Sequence, residues 1–266
     1  MELQGKLVLL TGANGGIGSA LSRELAKQDA QLVLCSFQAE PLEKLAQELS
    51  ASGSGGAVHT IQADVSSSED RHRIVNECER LGGLDVLINL AGIMDFDLFT
   101  EQPPGIIEKT IAINLLAPML LCQEFLPQLA RKPAAVILNV GSIFGSIGHP
   151  GFVAYCASKA GVKSFSEALA RELGDTQIRV SYIAPRATAT ALNSDRVNDM
   201  NKALGNKMDG PNYVAQQIVS QLRQGQTIKY LGWPEKLFVR INALLPLVVH
   251  KALVKKLGTI KQIARS

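Results

Sequence analysis

The stretch Thr11-Gly12-Ala13-Asn14-Gly15-Gly16-Ile17-Gly18 follows an apolar strand pattern, Lys6–Leu10, and opens a helical pattern, Ile17–Gln28. Glycines let the backbone turn tightly and approach a pyrophosphate closely, and the free N–H groups at a helix N-terminus attract phosphate. Glycines also occur in merely flexible loops, but the position at the first strand–helix junction favours a phosphate-binding turn. The stretch therefore predicts a dinucleotide site within a Rossmann-type fold.

Strand and helix patterns alternate along the rest of the chain. Short runs rich in β-branched residues predict strands over Gln31–Cys35, Val58–Gln62, Val86–Asn89, Ala135–Val140, Arg179–Ile183 and Gln226–Tyr230. Amphipathic stretches predict helices over Pro41–Ser50, Ser68–Arg80, Ile107–Leu129 and Val153–Leu173, and small residues predict a loop over Ala51–Gly56. This alternation predicts an α/β fold, with residues 1–266 forming a single-domain, Rossmann-type, doubly wound parallel sheet with helices on both faces.

Two segments near the C-terminus depart from this alternation. The segment at about 187–209 is polar and poor in strand formers, which predicts a lid-like loop. The tail at about 233–266 mixes apolar and basic residues, which predicts a basic amphipathic helix. Such a helix either lies on an anionic membrane surface or packs on the core or on a sister subunit, and both interpretations stay open.

The overall composition narrows the classes of function. With 27 Lys and Arg against 24 Asp and Glu, the net charge of +3 is too small to indicate nucleic-acid binding. The four cysteines show no metal-binding or disulfide spacing, so we expect buried thiols and no metal site. The N-terminus shows no signal-peptide pattern, and the apolar run Ile241–Val249 is too short to span a bilayer. These observations predict a cytoplasmic protein, with peripheral membrane contact through the tail as the open alternative.

A second motif lies on the helix predicted over Val153–Leu173. Tyr155 and Lys159 are four residues apart, so both project from one face of that helix. Such a pair is common on ordinary solvated helices, but here Ser142 stands thirteen residues before the tyrosine, just after a predicted strand. A ketone that gains a hydride needs a proton donor, and a phenol beside an ammonium group can cycle between acid and base.

Together with the T-G-x-x-x-G-x-G spacing of residues 11–18, these residues resemble the short-chain dehydrogenase/reductase family from about Gly5 to Thr190. The resemblance implies an NAD(P)-dependent enzyme that moves a hydride between a nicotinamide and a carbonyl/alcohol pair. It also implies an Asn-Ser-Tyr-Lys tetrad. In that tetrad Tyr155 is the acid/base, and Lys159 lowers the tyrosine pKa and holds the nicotinamide ribose. Ser142 orients the carbonyl, and Asn114 holds a water in a proton relay.

The resemblance further implies which residues bind the cofactor. Asp64-Val65 matches the position that contacts adenine, although an aspartate after a strand also caps turns. Asn89-Leu90-Ala91-Gly92 matches the N-N-A-G motif, with leucine in the second place. Arg186 stands where the family usually has glycine; it either places a cation beside the cofactor or an acidic substrate, or is solvated. The expected contacts are Gly12, Asn14, Gly15, Gly16, Ile17, Gly18, Ser36, Phe37, Asp64, Val65, Asn89, Ala91, Gly92, Tyr155, Lys159, Pro185, Thr188 and Thr190.

The end of the second strand bears on the choice of nicotinamide. In the family, an acidic residue there binds the ribose of NAD, and an arginine binds the extra phosphate of NADP. This chain has Cys35-Ser36-Phe37-Gln38, which supplies neither. The missing acid removes the main repulsion against a phosphate, and Ser36 and Gln38 can donate hydrogen bonds to one. The sequence therefore slightly favours NADP(H) over NAD(H).

The substrate is expected to be a small hydrophobic ketone, aldehyde or 3-oxoacyl compound. A mostly apolar pocket would result if the following residues line it, although each is also an ordinary core residue: Met94, Phe96, Phe144, Ile147, Phe152 and Leu192. Related enzymes imply a homodimer or homotetramer built through the two long helices. The alternative functions are a non-catalytic dinucleotide sensor and a membrane-peripheral scaffold.

Overall fold

A computed structural model describes residues 1–53 and 56–266 of the chain. Residues 54 and 55, in the loop predicted over Ala51–Gly56, lie outside the described residues. All strand pairs are parallel and form one sheet in the order β3-β2-β1-β4-β5-β6-β7, which confirms the predicted fold class. The strands are β1 (Leu7–Thr11), β2 (Gln31–Ser36), β3 (Val58–Gln62), β4 (Val86–Asn89), β5 (Ala135–Val140), β6 (Ile178–Ala184) and β7 (Ile228–Tyr230).

Helices cover both faces of this sheet. They are α1 (Gly16–Ala26), α2 (Ala39–Ala51), α3 (Ser68–Arg80), α4 (Pro104–Ile111), α5 (Ala117–Leu129), α6 (Val153–Glu172), α7 (Asp195–Ala203), α8 (Pro211–Gln224), α9 (Glu235–Leu244), α10 (Pro246–Lys255) and α11 (Leu257–Ala264). Side chains of β1 alternate between the two faces: Val8 and Leu10 pack with α1 and α8, and Leu7 and Leu9 pack with α3 and α5. Both faces are therefore buried, as a fully covered parallel sheet requires.

The helix predicted over Ile107–Leu129 begins earlier and is less regular than expected. A π-helical segment, Ala112–Leu116, joins α4 to α5. A π turn inserts one extra residue into a helix and changes the direction of the side chains around it, which is common at functional sites. Apolar periodicity gives no sign of such a turn, which explains why the sequence predicted one continuous helix.

The lid-like segment at about 187–209 carries a helix that the sequence analysis missed. Ser194 caps α7 by accepting a hydrogen bond from the Val197 N–H, and Val197 and Met200 bury the inner face of the helix. The ends of the segment are tied together, because the Ala189 N–H donates to the Asp209 carbonyl at 2.9 Å. The segment is thus a short helical flap with a closed neck.

The tail forms three short helices instead of one. Helices α9 and α10 meet at Leu245 with a bend of 120° and pack against each other, so they form a helical hairpin. Pro246 opens α10, where its missing N–H costs nothing. Helix α11 returns to the body of the protein, where Ile260 and Ala264 are buried against α7.

Within the described residues, Pro104–Leu129 is the one continuous helical stretch long and apolar enough to cross a membrane, and the bent pair α9 and α10 passes the same test together. The first stretch packs on the sheet, with Leu121, Phe125 and Leu129 in the core. A core helix of this composition meets the criterion without a membrane. The bent pair is considered further below.

Candidate active site

The strand order reverses between β1 and β4, and this point opens the crevice at the carboxyl edge of the sheet. Thr11, at the end of β1, lies on one side of this crevice. Its buried hydroxyl accepts hydrogen bonds from the Leu90 N–H at 3.0 Å and the Ala91 N–H at 3.1 Å, just after β4. Thr11 thus joins the two loops that would flank a dinucleotide, a role that its place in the glycine motif does not reveal.

The glycine loop is shaped by close backbone contacts. A Cβ on Gly18 would lie 2.1 Å from the Gly12 carbonyl oxygen, and one on Gly16 would lie 2.6 Å from Cγ2 of Thr190. Gly12 has a φ of +70°, which L side chains rarely adopt. No side chain among the described residues caps the N-terminus of α1, and its first turn has no acidic residue. The loop therefore fits a pyrophosphate, which would accept hydrogen bonds from the free N–H groups.

Ser36 and Asn14 meet at the end of β2. The Ser36 hydroxyl donates to Oδ1 of Asn14 at 2.5 Å, and Nδ2 of Asn14 lies 3.4 Å from Oε1 of Gln38. Phe37 is 71% exposed beside them. These residues form an uncharged polar patch where the cofactor ribose is expected.

The structure brings Ser142, Tyr155 and Lys159 together at the floor of one cavity. Nζ of Lys159 donates to the Val140 carbonyl at 3.0 Å and lies 5.9 Å from the centre of the Tyr155 ring. Burial raises the pKa of Tyr155 to about 12, and a hydrogen bond with Ser142 opposes this rise. Burial also lowers the pKa of Lys159 to about 8. The phenol is therefore protonated at neutral pH and placed to donate a proton.

Asn114 lies in the π-helical segment, next to this cluster. Its Oδ1 accepts from the Ile93 N–H and its Nδ2 donates to the Ile93 carbonyl, both at 2.8 Å. Nδ2 also donates at 3.1 Å to the Ser158 hydroxyl, which in turn donates to the Tyr155 carbonyl. The amide thus clamps the backbone after Gly92 to the helix that carries Tyr155. Its role in a proton relay stays a prediction. Ser158, missed in the sequence, links Asn114 to α6.

The cavity has a volume of about 390 Å³, within the range of small-molecule sites. Predicted residues that line it are Ile17, Gly92, Met94, Ser142, Phe144, Ile147, Phe152, Tyr155, Lys159, Pro185, Thr188, Thr190 and Leu192. The outer wall comes from residues that the sequence analysis did not assign to the site: Val197, Met200 and Leu204 of the flap, and Phe238, Ile241, Val249 and Leu253 of the hairpin. The cavity wall is therefore mostly apolar. Besides the Ser142–Tyr155–Lys159 cluster, the polar side chains that line it include Asn193, Asn201, Asn206, Lys207, Glu235 and Lys256.

His149 is a further residue of the cavity wall that the sequence did not single out. Its ring stacks on Phe144 with centroids 4.9 Å apart, and its Nδ1 lies 2.8 Å from the Pro150 carbonyl oxygen. Burial lowers its pKa below the usual value, so the ring is neutral at pH 7. With its apolar neighbours it forms a flat aromatic side to the cavity.

Four predicted residues have other surroundings. The Asn89 amide donates to Oδ1 of Asn139 at 2.8 Å, which links β4 to β5 inside the core. The Asp64 carboxylate accepts from the N–H and hydroxyl of Ser66, so it caps a turn. Val65 and Phe96 are core residues, and Phe96 stacks on Phe152 behind the cavity wall. The expectation that Phe96 lines the pocket is therefore corrected.

Arg186 is neither solvated nor free to meet a substrate. Its guanidinium bonds Asp209 at 2.6 Å and Glu235 at 3.3 Å, and its side chain is only 14% exposed. These partners close the neck of the flap and begin α9. The arginine thus fastens both parts of the outer wall to the end of β6.

Replacing Arg186 with methionine is expected to lower the free energy of unfolding by about 1–3 kcal/mol, because it leaves two partly buried carboxylates without their cation. Arg223→Met serves as the matched control, since its pair with Glu2 is exposed and 3.9 Å long. Urea unfolding measures both variants. Equal midpoints for the two would contradict the fastening role.

Known proteins resemble the chain over most of its length. Residues 6–201 match the family model described as short chain dehydrogenase. Nodulation protein G of Rhizobium meliloti (strain 1021) is 37% identical over 202 residues, which cover 76% of this chain and 80% of that protein. The 3-oxoacyl-acyl-carrier-protein reductase FabG of Pseudomonas aeruginosa is 33% identical over 205 residues, which cover 77% of this chain and 82% of that protein.

A solved structure shares the architecture. A short chain dehydrogenase/reductase from Burkholderia phymatum, in complex with NAD, superposes with a TM-score of 0.83 and 22% identity over 91% of this chain and 94% of that one. At this level of identity the likeness shows the fold alone.

Proposed function

The chain belongs to the short-chain dehydrogenase/reductase family, whose members are NAD(P)-dependent oxidoreductases, and we propose that it reduces a hydrophobic ketone or 3-oxoacyl-type compound. The observation that carries this proposal is the cavity, in which a polar cluster (Ser142, Tyr155 and Lys159) faces mostly apolar walls. Apolar walls bind the body of a hydrophobic compound, and the cluster orients its one polar group. The similarity to a 3-oxoacyl reductase supports the same class.

In this proposal Tyr155 donates a proton to the developing alkoxide and Ser142 holds the carbonyl oxygen. A bound reduced nicotinamide supplies the hydride. The raised pKa of Tyr155 keeps the phenol protonated, which suits the reductive direction. Lys159, still mostly charged at pH 7 with a pKa of about 8, would bind the nicotinamide ribose and stabilise the phenolate left after transfer.

We also propose which residues contact the cofactor. Gly12, Asn14, Gly15, Gly16, Ile17 and Gly18 would hold the pyrophosphate, and Ala91, Gly92, Pro185, Thr188 and Thr190 would flank the nicotinamide half. Ser36 and Phe37 would meet the adenosine end. Asn89, Asp64 and Val65 would act through the backbone they position, since their side chains are engaged elsewhere.

We propose NADP(H) as the preferred cofactor, because no acidic side chain stands at the end of β2 in the sequence. Ser36→Asp is expected to raise the KM for NADPH about 10-fold or more through charge repulsion, and to change the KM for NADH much less. Ser36→Asn is the matched control, because asparagine has the same shape as aspartate but carries no charge. Steady-state kinetics with both nicotinamides measure the effect, and equal penalties for the two cofactors would refute the placement of Ser36.

A homo-oligomer through α5 and α6 is also proposed. Exposed apolar and small side chains lie along these helices: Leu116 at the end of the π-helical segment, Met119 on α5, and Val153, Ala157 and Ala160 on α6. A face of this kind is typical of helix-to-helix contacts between subunits. The mass of the protein in solution tests it directly.

A further inference from the structure

The α9–α10 hairpin ends in an exposed apolar tip. The tip consists of Leu244, Leu245, Pro246, Leu247 and Val248, which join the two helices. Leu244 is 80% exposed and Leu247 is 71% exposed. Soluble surfaces rarely expose a contiguous apolar patch with no function, so this tip indicates an interaction site.

In the C-terminal segment that contains most of the hairpin, all charged side chains are positive. Residues 236–266 contain no Asp or Glu, but they contain Lys236, Arg240, Lys251, Lys255, Lys256, Lys261 and Arg265. Because the whole chain carries only +3, residues 1–235 have a net negative charge. Glu235, the first residue of α9 and the only acidic residue of the hairpin sequence, is paired with Arg186. The hairpin is therefore a local cationic element on an otherwise acidic protein.

Cations lie just behind the apolar tip on both helices. Arg240 is four residues before Leu244 on α9, and Lys251 is four residues after Leu247 on α10, so each cation shares a helix face with a tip leucine. One helical turn rises about 5.4 Å, which is close to the depth at which interfacial helices bury their apolar side chains. At that depth the cations would reach the level of the lipid phosphates.

The mouth of the cavity opens beside the tip. Phe238 and Val248 line the cavity, yet they are 46% and 56% exposed, so they mark its entrance. Ile241 and Leu253, farther in, are half-buried. One side of the hairpin thus forms part of the cavity wall. A surface that covered the tip would therefore lie next to the cavity entrance.

We propose that the α9–α10 hairpin docks the protein on an anionic lipid surface, with the apolar tip inserted among the acyl chains and the flanking cations on the lipid phosphates. Charge complementarity favours this occupant, because the one acidic residue of the hairpin, Glu235, is paired with Arg186, whereas Lys236, Arg240, Lys251 and Lys255 suit a negative surface. A second copy of the chain would bring the same cations together across a two-fold interface, which disfavours tip-to-tip dimers.

Docking on a lipid surface also narrows the class of substrate. This inference about the substrate rests on the proposed oxidoreductase function. A cavity whose entrance lies at the lipid surface takes a carbonyl compound dissolved in the bilayer, such as one with a long alkyl chain. The polar cluster and the hairpin residues line the same cavity, so a carbonyl held by the cluster would leave its alkyl chain along the apolar side chains of the hairpin.

Flotation of the full-length protein with vesicles tests the docking without any need for turnover. We expect the protein to float with vesicles rich in phosphatidylglycerol, and to float less at high salt. Leu244→Glu/Leu247→Glu should weaken binding at least about 100-fold, because it removes two inserted side chains and adds charge. Phe99→Glu/Ile228→Glu is the matched control, since it adds the same charges at two other exposed apolar positions, 55% and 48% exposed.

A second variant tests the charges alone. Arg240→Gln/Lys251→Gln/Lys255→Gln keeps the tip and should weaken binding to anionic vesicles about fivefold per cation removed. Thermal unfolding and circular dichroism should show all three variants folded, since every substituted side chain is exposed.

Two results would overturn the docking. One is the absence of flotation with any vesicle while the protein is folded. The other is sedimentation showing that the tip variant, but not the control variant, dissociates an oligomer, because a second copy would then cover the tip. If flotation succeeds but no carbonyl compound is turned over, the docking stands and the proposed function fails. The two failures are therefore distinguishable.

Discussion

Tyr155→Phe is expected to lower kcat by about 100- to 10,000-fold while the Kd for the reduced nicotinamide stays within about twofold. The substitution removes the only phenol of the polar cluster among the described residues lining the cavity. It keeps the ring, which contacts Phe144 and Phe152 edge to face at 6.4 and 6.5 Å. Packing, and with it cofactor affinity, should therefore survive.

The matched control is Tyr213→Phe, because Tyr213 is 44% exposed on α8 and is not among the residues that line the cavity. Single-turnover kinetics separate the chemical step from cofactor binding, which fluorescence titration of the nicotinamide measures. A Tyr155→Phe enzyme that turned over as fast as the parent would remove Tyr155 from the acid/base role.

Lys159→Met is expected to abolish most turnover and yet to stabilise the protein. Burial lowers the pKa of Lys159 from 10.5 to about 8, so the folded state disfavours the charged form that the unfolded state keeps. Methionine fills the same space without a charge. After the lost hydrogen bond to Val140 is allowed for, the free energy of unfolding at pH 7 should rise by roughly 1–3 kcal/mol.

The pH dependence of this gain identifies its origin. Below about pH 8 both states of the wild-type protein hold the lysine charged, so the full cost of burial is present. Between pH 8 and 10.5 the unfolded state binds more protons than the folded state, and wild-type stability rises with pH. The advantage of Lys159→Met should therefore shrink over that window. Lys163→Met, one turn further along α6, is the matched control, because the Lys163 side chain is 31% exposed.

Residues on regular elements could be predicted from the sequence. Tyr155 and Lys159 share a helix face because four residues make about one turn, and Ser142 follows β5 at the same edge of the sheet. The glycine loop likewise follows from its place between β1 and α1. These positions depend on local periodicity and on the rule that parallel strands end at one edge.

Side-chain direction on a doubly buried strand could not be predicted. Asn89 matches a cofactor motif, but its amide donates to Asn139. Both faces of β4 are buried, so apolar alternation in the sequence does not indicate toward which face the Asn89 side chain points. The surroundings of Arg186 could not be predicted either, because its partners Asp209 and Glu235 are 23 and 49 residues away in the sequence. The hairpin wall of the cavity is equally remote in sequence from the cluster it covers. Contacts of this range leave no local pattern.

The most direct test of the account is hydride transfer itself. NADPH carrying two deuterium atoms at the reactive carbon of the nicotinamide is incubated with the protein and a series of ketones, aldehydes and 3-oxoacyl thioesters of increasing alkyl length. We expect each nicotinamide oxidised to place one deuterium on the former carbonyl carbon, and we expect the rate of transfer to rise with alkyl length. Binding of NADPH without oxidation across the series would contradict it.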